Sequence, residues 1–200
     1  MEDRRRETED RRRETAIRHA AKPSSVFRLP NINHMDNLHF ISAYDEQNVS
    51  AVRELLTEYA HGQGLRPENS NVFADIAALP GRYSPPEGRL YLVRLGDENV
   101  GCGGLVPLKD GDCEMKRLYV KPAYRGRGIA RALSQKLIDD ARAIGYHRVT
   151  LSTKNEWAPA LNLYLSMGFT DTPQMRFSKM NDLRWLGLKL TEDGRPQTAE

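Results

Sequence analysis

Residues 113–130 constrain the fold of this chain more than any other segment. Apolar residues give way to a basic, glycine-rich turn at 125–128, and an amphipathic segment begins at Ile129. This pattern predicts a strand, a tight turn and a helix in that order. Glycines allow a close backbone approach to a ligand, and the first N–H groups of a helix bind anions. Two arginines add charge, so we expect a site for a phosphate-bearing ligand.

The turn does not fit two common phosphate-binding motifs. Gly126 and Gly128 match the start of G-x-G-x-x-G, but Arg131 stands at the third glycine position. The Gly-Lys-Ser/Thr ending of a P-loop is also missing. What remains is the pattern R-x-x-G-x-A, formed by Arg125, Gly128 and Ala130. Taken alone, this pattern is equally compatible with a plain connector between a strand and a helix.

A second motif lies further along the chain. The pattern A-x-x-L-Y-x-x-x-G-F is matched at every fixed position by Ala160, Leu163, Tyr164, Gly168 and Phe169. The first motif resembles the coenzyme A pyrophosphate loop of the GNAT superfamily, the acetyl-CoA-dependent N-acetyltransferases. The second motif resembles a signature of the same superfamily, in the same order. The resemblance covers roughly residues 38–190 and is weaker before Leu90 than after it.

The periodicity of the apolar residues predicts a mixed α/β domain with the order β-α-α-β-β-β-α-β-α-β. The resemblance implies the same order, in a mostly antiparallel sheet flanked by helices. Strands are predicted at 38–44, 90–95, 100–108, 113–120, 145–151 and 183–190. Helices are predicted around 52–59 and 72–79, and at 129–144 and 158–167, with Gly145 following the third of them.

The ends of the chain differ from its centre. We expect a charged, disordered tail and linker at 1–36, an N-acetyltransferase domain at 37–190 and a flexible tail at 191–200. The first segment repeats one heptad, at 2–8 and 9–15. No position of the repeat is apolar, so it does not predict a coiled coil.

Composition excludes several classes of function. Residues 1–22 contain eight Lys or Arg and six Asp or Glu, which leaves +1 of the net charge of +3 for the rest of the chain. A net charge this close to zero argues against nucleic-acid binding. There is no apolar stretch of membrane-spanning length, no secretion signal and no metal-ligand spacing, which predicts a cytoplasmic protein. The two cysteines, Cys102 and Cys113, are expected to be reduced and buried.

A change of phase marks the predicted strand at 113–120. Cys113 and Met115 are apolar at odd positions, whereas Leu118 and Val120 are apolar at even positions. An extra residue at 116–117 would restore the pattern, which predicts a β-bulge and an N–H group outside the ladder. The resemblance also implies a bulge here, with the N–H of Leu118 binding the thioester oxygen. Alternatively, 116–117 is a solvent-facing strand end without a bulge.

Two residues are candidates for proton transfer. An amine is mostly protonated at neutral pH, so a base is needed, and the resemblance implies this role for Glu114. The alternative is an exposed glutamate paired with a surface lysine. The resemblance implies that Tyr164 is the general acid for the leaving thiolate; the alternative is a core aromatic residue. His147 has a suitable pKa range for a base, but it opens a strand and is interpreted as a surface residue.

The expected coenzyme site extends from the end of one strand into the following helix. The resemblance implies contacts from Leu118, Tyr119, Val120, Arg125, Gly126, Arg127, Gly128, Ile129 and Ala130. Many superfamily members have an asparagine seven residues before the signature tyrosine. Trp157 occupies that position here, so Asn155 is included only as a substitute for it.

The resemblance therefore implies an N-acetyltransferase that uses acetyl-CoA as co-substrate, without a metal, and acts by direct attack in a ternary complex. The acceptor side of the cleft is expected at 61–89. A small-molecule amine or amino acid is the first candidate acceptor, and a protein lysine or N-terminus is the second. Neither nucleic acid nor membrane is an expected partner, and the protein is expected to be a monomer or homodimer. Two alternatives remain: a non-catalytic acyl-CoA sensor, and a structural protein whose charged tail carries the function.

Overall fold

The computed structural model describes residues 37–68, 70–173 and 183–190, to which all structural statements below refer. The predicted tails at 1–36 and 191–200 lie outside the described residues. None of the described helices is long and apolar enough to cross a lipid bilayer.

Seven strands and four α-helices make up the described part of the chain. The strands are β1 (Leu38–Ser42), β2 (Arg89–Leu95), β3 (Glu98–Pro107), β4 (Asp112–Val120), β5 (Arg148–Lys154), β6 (Thr170–Asp171) and β7 (Leu183–Lys189). The helices are α1 (Glu46–Gly62), α2 (Val72–Ala77), α3 (Ile129–Ile144) and α4 (Ala158–Ser166). Short 3-10 turns lie at Gly81–Tyr83 and Pro122–Tyr124.

The strands form one sheet in the order β1-β2-β3-β4-β5-β7-β6. Every neighbouring pair is antiparallel except β4 and β5, which are parallel. The predicted mixed, mostly antiparallel sheet and its element order are confirmed. The sequence did not predict β6, because two residues are too short to show a strand period.

The parallel pair β4–β5 is short. Pairing joins Asp112 to Arg148, Cys113 to Val149 and Glu114 to Thr150, and then stops. Both strands continue beyond this point, β4 to Val120 and β5 to Lys154, without pairing to each other. The sheet is therefore open between the second halves of its two central strands, and Glu114 lies at the edge of this opening.

Helix α3 covers one face of the sheet. Its residues Leu133, Leu137 and Ala141 are fully buried in a cluster that includes Met115 and Val149 from the strands. Burial of each leucine side chain stabilises the fold by about 1.5–3 kcal/mol. The helix has its predicted bounds and ends at Gly145, whose φ of 98° is the left-handed conformation expected there. These contacts fix the helix that follows the glycine-rich turn.

Helix α1 covers the opposite face. Val52 and Leu56 are buried in a second cluster with Leu92 and Cys102 of the sheet. Asp45 caps the helix by accepting a hydrogen bond from the backbone N–H of Asn48 at 3.0 Å. The helix predicted around 52–59 is thus confirmed, with bounds at Glu46–Gly62.

The fifth strand begins three residues later than predicted. Gly145 and Tyr146 both donate backbone hydrogen bonds to Ala141, at 3.2 and 3.0 Å. Both bonds go to one of the last carbonyl groups of α3, so Gly145 and Tyr146 belong to the helix cap rather than to the strand. The strand can start only at Arg148.

Candidate active site

Strand β4 contains the predicted bulge. Gly104 pairs with Lys116 and Cys102 pairs with Tyr119, so one residue of β3 faces two residues of β4, Arg117 and Leu118. Arg117 has a φ of 58°, in the left-handed region. The bulge is therefore confirmed, one position further along than predicted, and a strand end without a bulge is the wrong interpretation.

The bulge changes which side chains of β4 face α3 and which face α1 on the opposite side of the sheet. Cys113 and Met115 before it, and Leu118 and Val120 after it, all belong to the cluster around α3. A regular strand would turn two of these four residues to the other face. A left-handed conformation costs a non-glycine residue such as Arg117 about 1–2 kcal/mol. Burial of Cys113, Met115 and Val120, with half-burial of Leu118, on one face offsets this cost.

Two glycines of β3 lie opposite the bulge. A Cβ atom on Gly103 would lie 3.0 Å from Leu133, and a Cβ atom on Gly104 would lie 2.4 Å from the carbonyl oxygen of Arg89. Side chains are therefore poorly tolerated at either position. Glycines inside a strand often mark a bulge or a close contact, so the pair Gly103 and Gly104 is a further signal of the bulge in the sequence, one that the phase of β4 alone does not include.

Glu114 is buried at the edge of the opening in the sheet, with 4% of its surface exposed. Its carboxylate lies 3.6 Å from the ammonium group of Lys116, whose side chain is 14% exposed. The alternative of an exposed glutamate is therefore wrong, although the pairing with a lysine is present. A buried carboxylate beside an opening can accept a proton from a group that enters it.

The glycine-rich turn has the geometry of an anion site. Gly126 and Gly128 have φ values of 73° and 79°, and Gly128 is the N-cap of α3. No atom lies within 4 Å of the position that a Cβ would occupy on either glycine. The turn is thus open at both glycines, directly before the first N–H groups of the helix, which have no intrahelical acceptor.

The two arginines of the turn stabilise it through hydrogen bonds to backbone carbonyl groups. The Nε group of Arg125 donates a hydrogen bond to the carbonyl of Val120 at 3.0 Å, and Arg127 donates to the carbonyl of Ala123 at 3.2 Å. The guanidinium of Arg127 also lies 5.2 Å from the ring centre of Tyr124. These bonds join the end of β4 to the turn, so the predicted coenzyme-binding residues from 118 to 130 form one continuous structure.

Tyr164 lies on α4, buried against Phe169, with ring centres 5.7 Å apart. Its hydroxyl makes no hydrogen bond to any described residue. Burial, with a smaller effect of Tyr59, raises the pKa of Tyr164 to about 12. The phenol therefore carries its proton at neutral pH, as a general acid must. Its membership of the core cluster around α3 also fits the alternative of a core aromatic residue.

Tyr59 and Trp157 connect the two sides of the opening. The ring of Tyr59 on α1 lies 5.6 Å from that of Tyr119 on β4 and 6.4 Å from that of Trp157, next to α4. Tyr119 in turn donates a hydrogen bond to Glu58 at 2.8 Å. The sequence did not predict these ring contacts, since contacts between distant elements leave no local pattern.

The other candidate residues are placed as follows. Asn155 is exposed in the turn after β5 and makes no hydrogen bond within the described residues, and its contact with the coenzyme stays a prediction. His147 is exposed, as predicted. Cys102 and Cys113 are free and buried, and burial raises the pKa of both thiols. Neither thiol is therefore suited to act as a nucleophile.

Comparisons with known proteins agree with this geometry. Residues 49–169 match the Acetyltransferase (GNAT) family. An uncharacterised N-acetyltransferase of Schizosaccharomyces pombe is 30% identical over 150 residues, which cover 73% of this chain and 91% of that protein. The L-methionine sulfoximine/L-methionine sulfone acetyltransferase of Salmonella typhimurium is 37% identical over 87 residues, 41% of this chain and 51% of that enzyme.

Solved structures share the fold. The yncA protein of Salmonella typhimurium, solved with its cofactor acetyl-CoA, superposes with a TM-score of 0.60 at 23% identity. The match covers 82% of this chain and 99% of that one. The chain belongs to the GNAT family of acetyltransferases, as its two motifs indicated.

Proposed function

We propose that this protein transfers the acetyl group of acetyl-CoA to the amine of a small molecule by direct attack in a ternary complex. The observation that carries the proposal is the open turn at 125–128, formed by two left-handed glycines at the start of α3 and continuous with a bulged strand. Family membership and the acetyl-CoA bound to a structural neighbour support the choice of ligand.

The coenzyme would bind along the segment from 118 to 130. The free N–H groups at the start of α3 and the charges of Arg125 and Arg127 suit a diphosphate. Leu118, Tyr119 and Val120 form the end of β4 that leads into the turn. Because β4 is not paired with β5 here, its backbone groups are available to the pantetheine arm.

The bulge suits stabilisation of the developing oxyanion. A bulge leaves one residue outside the regular ladder, so its N–H group can bind another acceptor. In this proposal the N–H of Leu118 donates to the thioester oxygen as negative charge develops on it. One such donor accelerates acyl transfer by about 10²–10³-fold.

Proton transfer needs one base and one acid. Glu114 would take a proton from the attacking ammonium or amine, directly or through water. The amine nitrogen then bonds to the acetyl carbon, and the carbon–sulfur bond breaks as the thiolate leaves. Tyr164 would give its proton to that thiolate, and its raised pKa keeps the proton available throughout the neutral range.

The acceptor is proposed to be a small molecule with an amino group, with amino acids as the first class to test. Support comes from the relative that acetylates L-methionine sulfoximine and L-methionine sulfone, although that match covers about half of the relative. A protein lysine or N-terminus is the second acceptor class. The non-enzymatic alternative is a sensor domain that binds acyl-CoA without turnover.

One experiment separates these functions. Purified protein is mixed with acetyl-CoA and a panel of amino acids, polyamines and peptides, and thiol release is measured together with the mass of the acetylated product. The proposal predicts turnover with a small amine. Coenzyme binding in calorimetry without turnover would support a sensor, and turnover only with peptides would move the acceptor to proteins. No coenzyme binding at all would contradict the proposal.

A further inference from the structure

The side chain of Arg117 connects the bulge to helix α2. Its Nε group donates a hydrogen bond to a carboxylate oxygen of Asp75 at 2.8 Å. Its terminal nitrogen Nη2 lies 2.7 Å from the same oxygen and donates to the amide oxygen of Asn71 at 2.8 Å. One guanidinium thus holds both the N-cap residue and the first turn of α2.

The carboxylate of Asp75 binds side chains from several parts of the site. Besides the two nitrogens of Arg117, it accepts a hydrogen bond from the hydroxyl of Tyr83 at 3.0 Å. The ammonium of Lys116 lies 4.0 Å away. All of these contacts are to the same carboxylate oxygen, Oδ2, through which Asp75 anchors α2.

Tyr83 provides the second connection. Its side chain is buried, and a Cβ on Gly104 would lie 2.6 Å from its ring. Gly104 pairs with Lys116 directly before the bulge. The missing side chain at Gly104 therefore lets Tyr83 pack against the strand, from where its hydroxyl reaches Asp75.

Helix α2 needs support from the rest of the fold to hold this position, since six residues are too few for a stable isolated helix. It lies in the segment 61–89, where the acceptor side of the cleft is expected. The bulge residue Arg117 instead sets the position of α2 relative to β4. Arg117 directly precedes Leu118 in the chain and is close to Glu114.

We propose that Arg117 is a positioning residue that fixes α2 against the bulge, and so sets where the acceptor amine lies relative to Leu118 and Glu114. The second half of this inference rests on the proposed function. The planar fork of arginine suits the role because it can serve two acceptors at once, whereas the ammonium of lysine is a single point charge.

The test uses two substitutions at one position and a matched control. Arg117→Gly removes the side chain but favours the left-handed backbone, so the bulge itself is retained. Arg117→Lys retains the charge and loses the fork. Arg184→Lys makes the same change in an exposed pair with Asp171, at the far edge of the sheet.

Two measurements follow for each variant. Hydrogen–deuterium exchange reports the opening of α2, and steady-state kinetics report KM for the acceptor, kcat and the affinity for acetyl-CoA. Arg117→Gly is expected to speed exchange in 72–77 and raise the acceptor KM by about tenfold or more, because charge-assisted hydrogen bonds are lost. Acetyl-CoA affinity should stay unchanged, Arg117→Lys should be intermediate, and Arg184→Lys should resemble the wild type.

Each contrary result has a distinct meaning. Unchanged exchange in 72–77 for Arg117→Gly would overturn the inference, and so would an equal loss of acceptor and acetyl-CoA affinity. If the wild-type protein acetylates no amine, the proposed function fails, and exchange alone still decides whether Arg117 holds α2.

Discussion

Gly128 and Gly145 offer a matched pair of substitutions at the two ends of α3. Both have left-handed backbones, with φ values of 79° and 98°, and neither has an atom within 4 Å of its Cβ position. Replacement by alanine therefore causes no clash and costs only the left-handed strain, about 1–2 kcal/mol. For a domain of this size we expect Tm to fall by about 2–8 °C in each variant.

The two variants should differ in coenzyme binding. A methyl group on Gly128 would project into the open side of the turn, where the diphosphate is proposed to lie. Loss of one charge-assisted hydrogen bond there corresponds to about a tenfold or greater rise in Kd for acetyl-CoA. Gly145 is at the other end of the helix, so Gly145→Ala should leave Kd unchanged.

Thermal unfolding and calorimetry with acetyl-CoA check the pair. Similar falls in Tm with a rise in Kd only for Gly128→Ala would support the proposed turn. Equal effects on Kd, or none for Gly128→Ala, would refute the reasoning, because the backbone cost is common to both sites and cannot distinguish them.

Three further substitutions test the remaining parts of the account. Tyr164→Phe should lower kcat by about 10²-fold and leave acetyl-CoA affinity unchanged, and an unchanged kcat would contradict the assignment. The acid is active when protonated and its pKa is raised to about 12, so wild-type kcat should show no alkaline decline from this group below about pH 10. A decline below that pH that the variant abolishes would contradict the raised pKa. Glu114→Gln should lower kcat/KM by about 10²-fold in assays at neutral pH, and full activity would exclude it as the base. Asp112→Ala should destabilise the fold by about 1–3 kcal/mol in urea unfolding. The reason is that Asp112 is buried and accepts two hydrogen bonds from Arg148 where β4 meets β5. An unchanged urea midpoint would show that this ion pair does not stabilise the junction.

Local patterns in the sequence predicted much of the fold. The bounds of α3 follow from a regular apolar period and a terminal glycine, and the bulge in β4 follows from the change of phase between Met115 and Leu118. Both features depend on residues that are close in the chain. The start of β5 was misplaced because apolar residues of a helix cap look like those of a strand.

Contacts between distant segments could not be predicted in this way. Arg117 and Asp75 are 42 residues apart, and neither has a local pattern that marks it as one half of a pair. The contact of Tyr59 with Trp157 likewise joins two helical regions. The burial of Glu114 depends on three-dimensional packing, since its neighbours in the chain are partly charged.

A crystal structure of the protein with acetyl-CoA tests the central claim most directly. The account predicts the diphosphate within hydrogen-bonding distance of the backbone N–H groups at 126–130, and the thioester oxygen at about 3 Å from the N–H of Leu118. A coenzyme bound elsewhere, or a thioester oxygen directed away from the bulge, would contradict it.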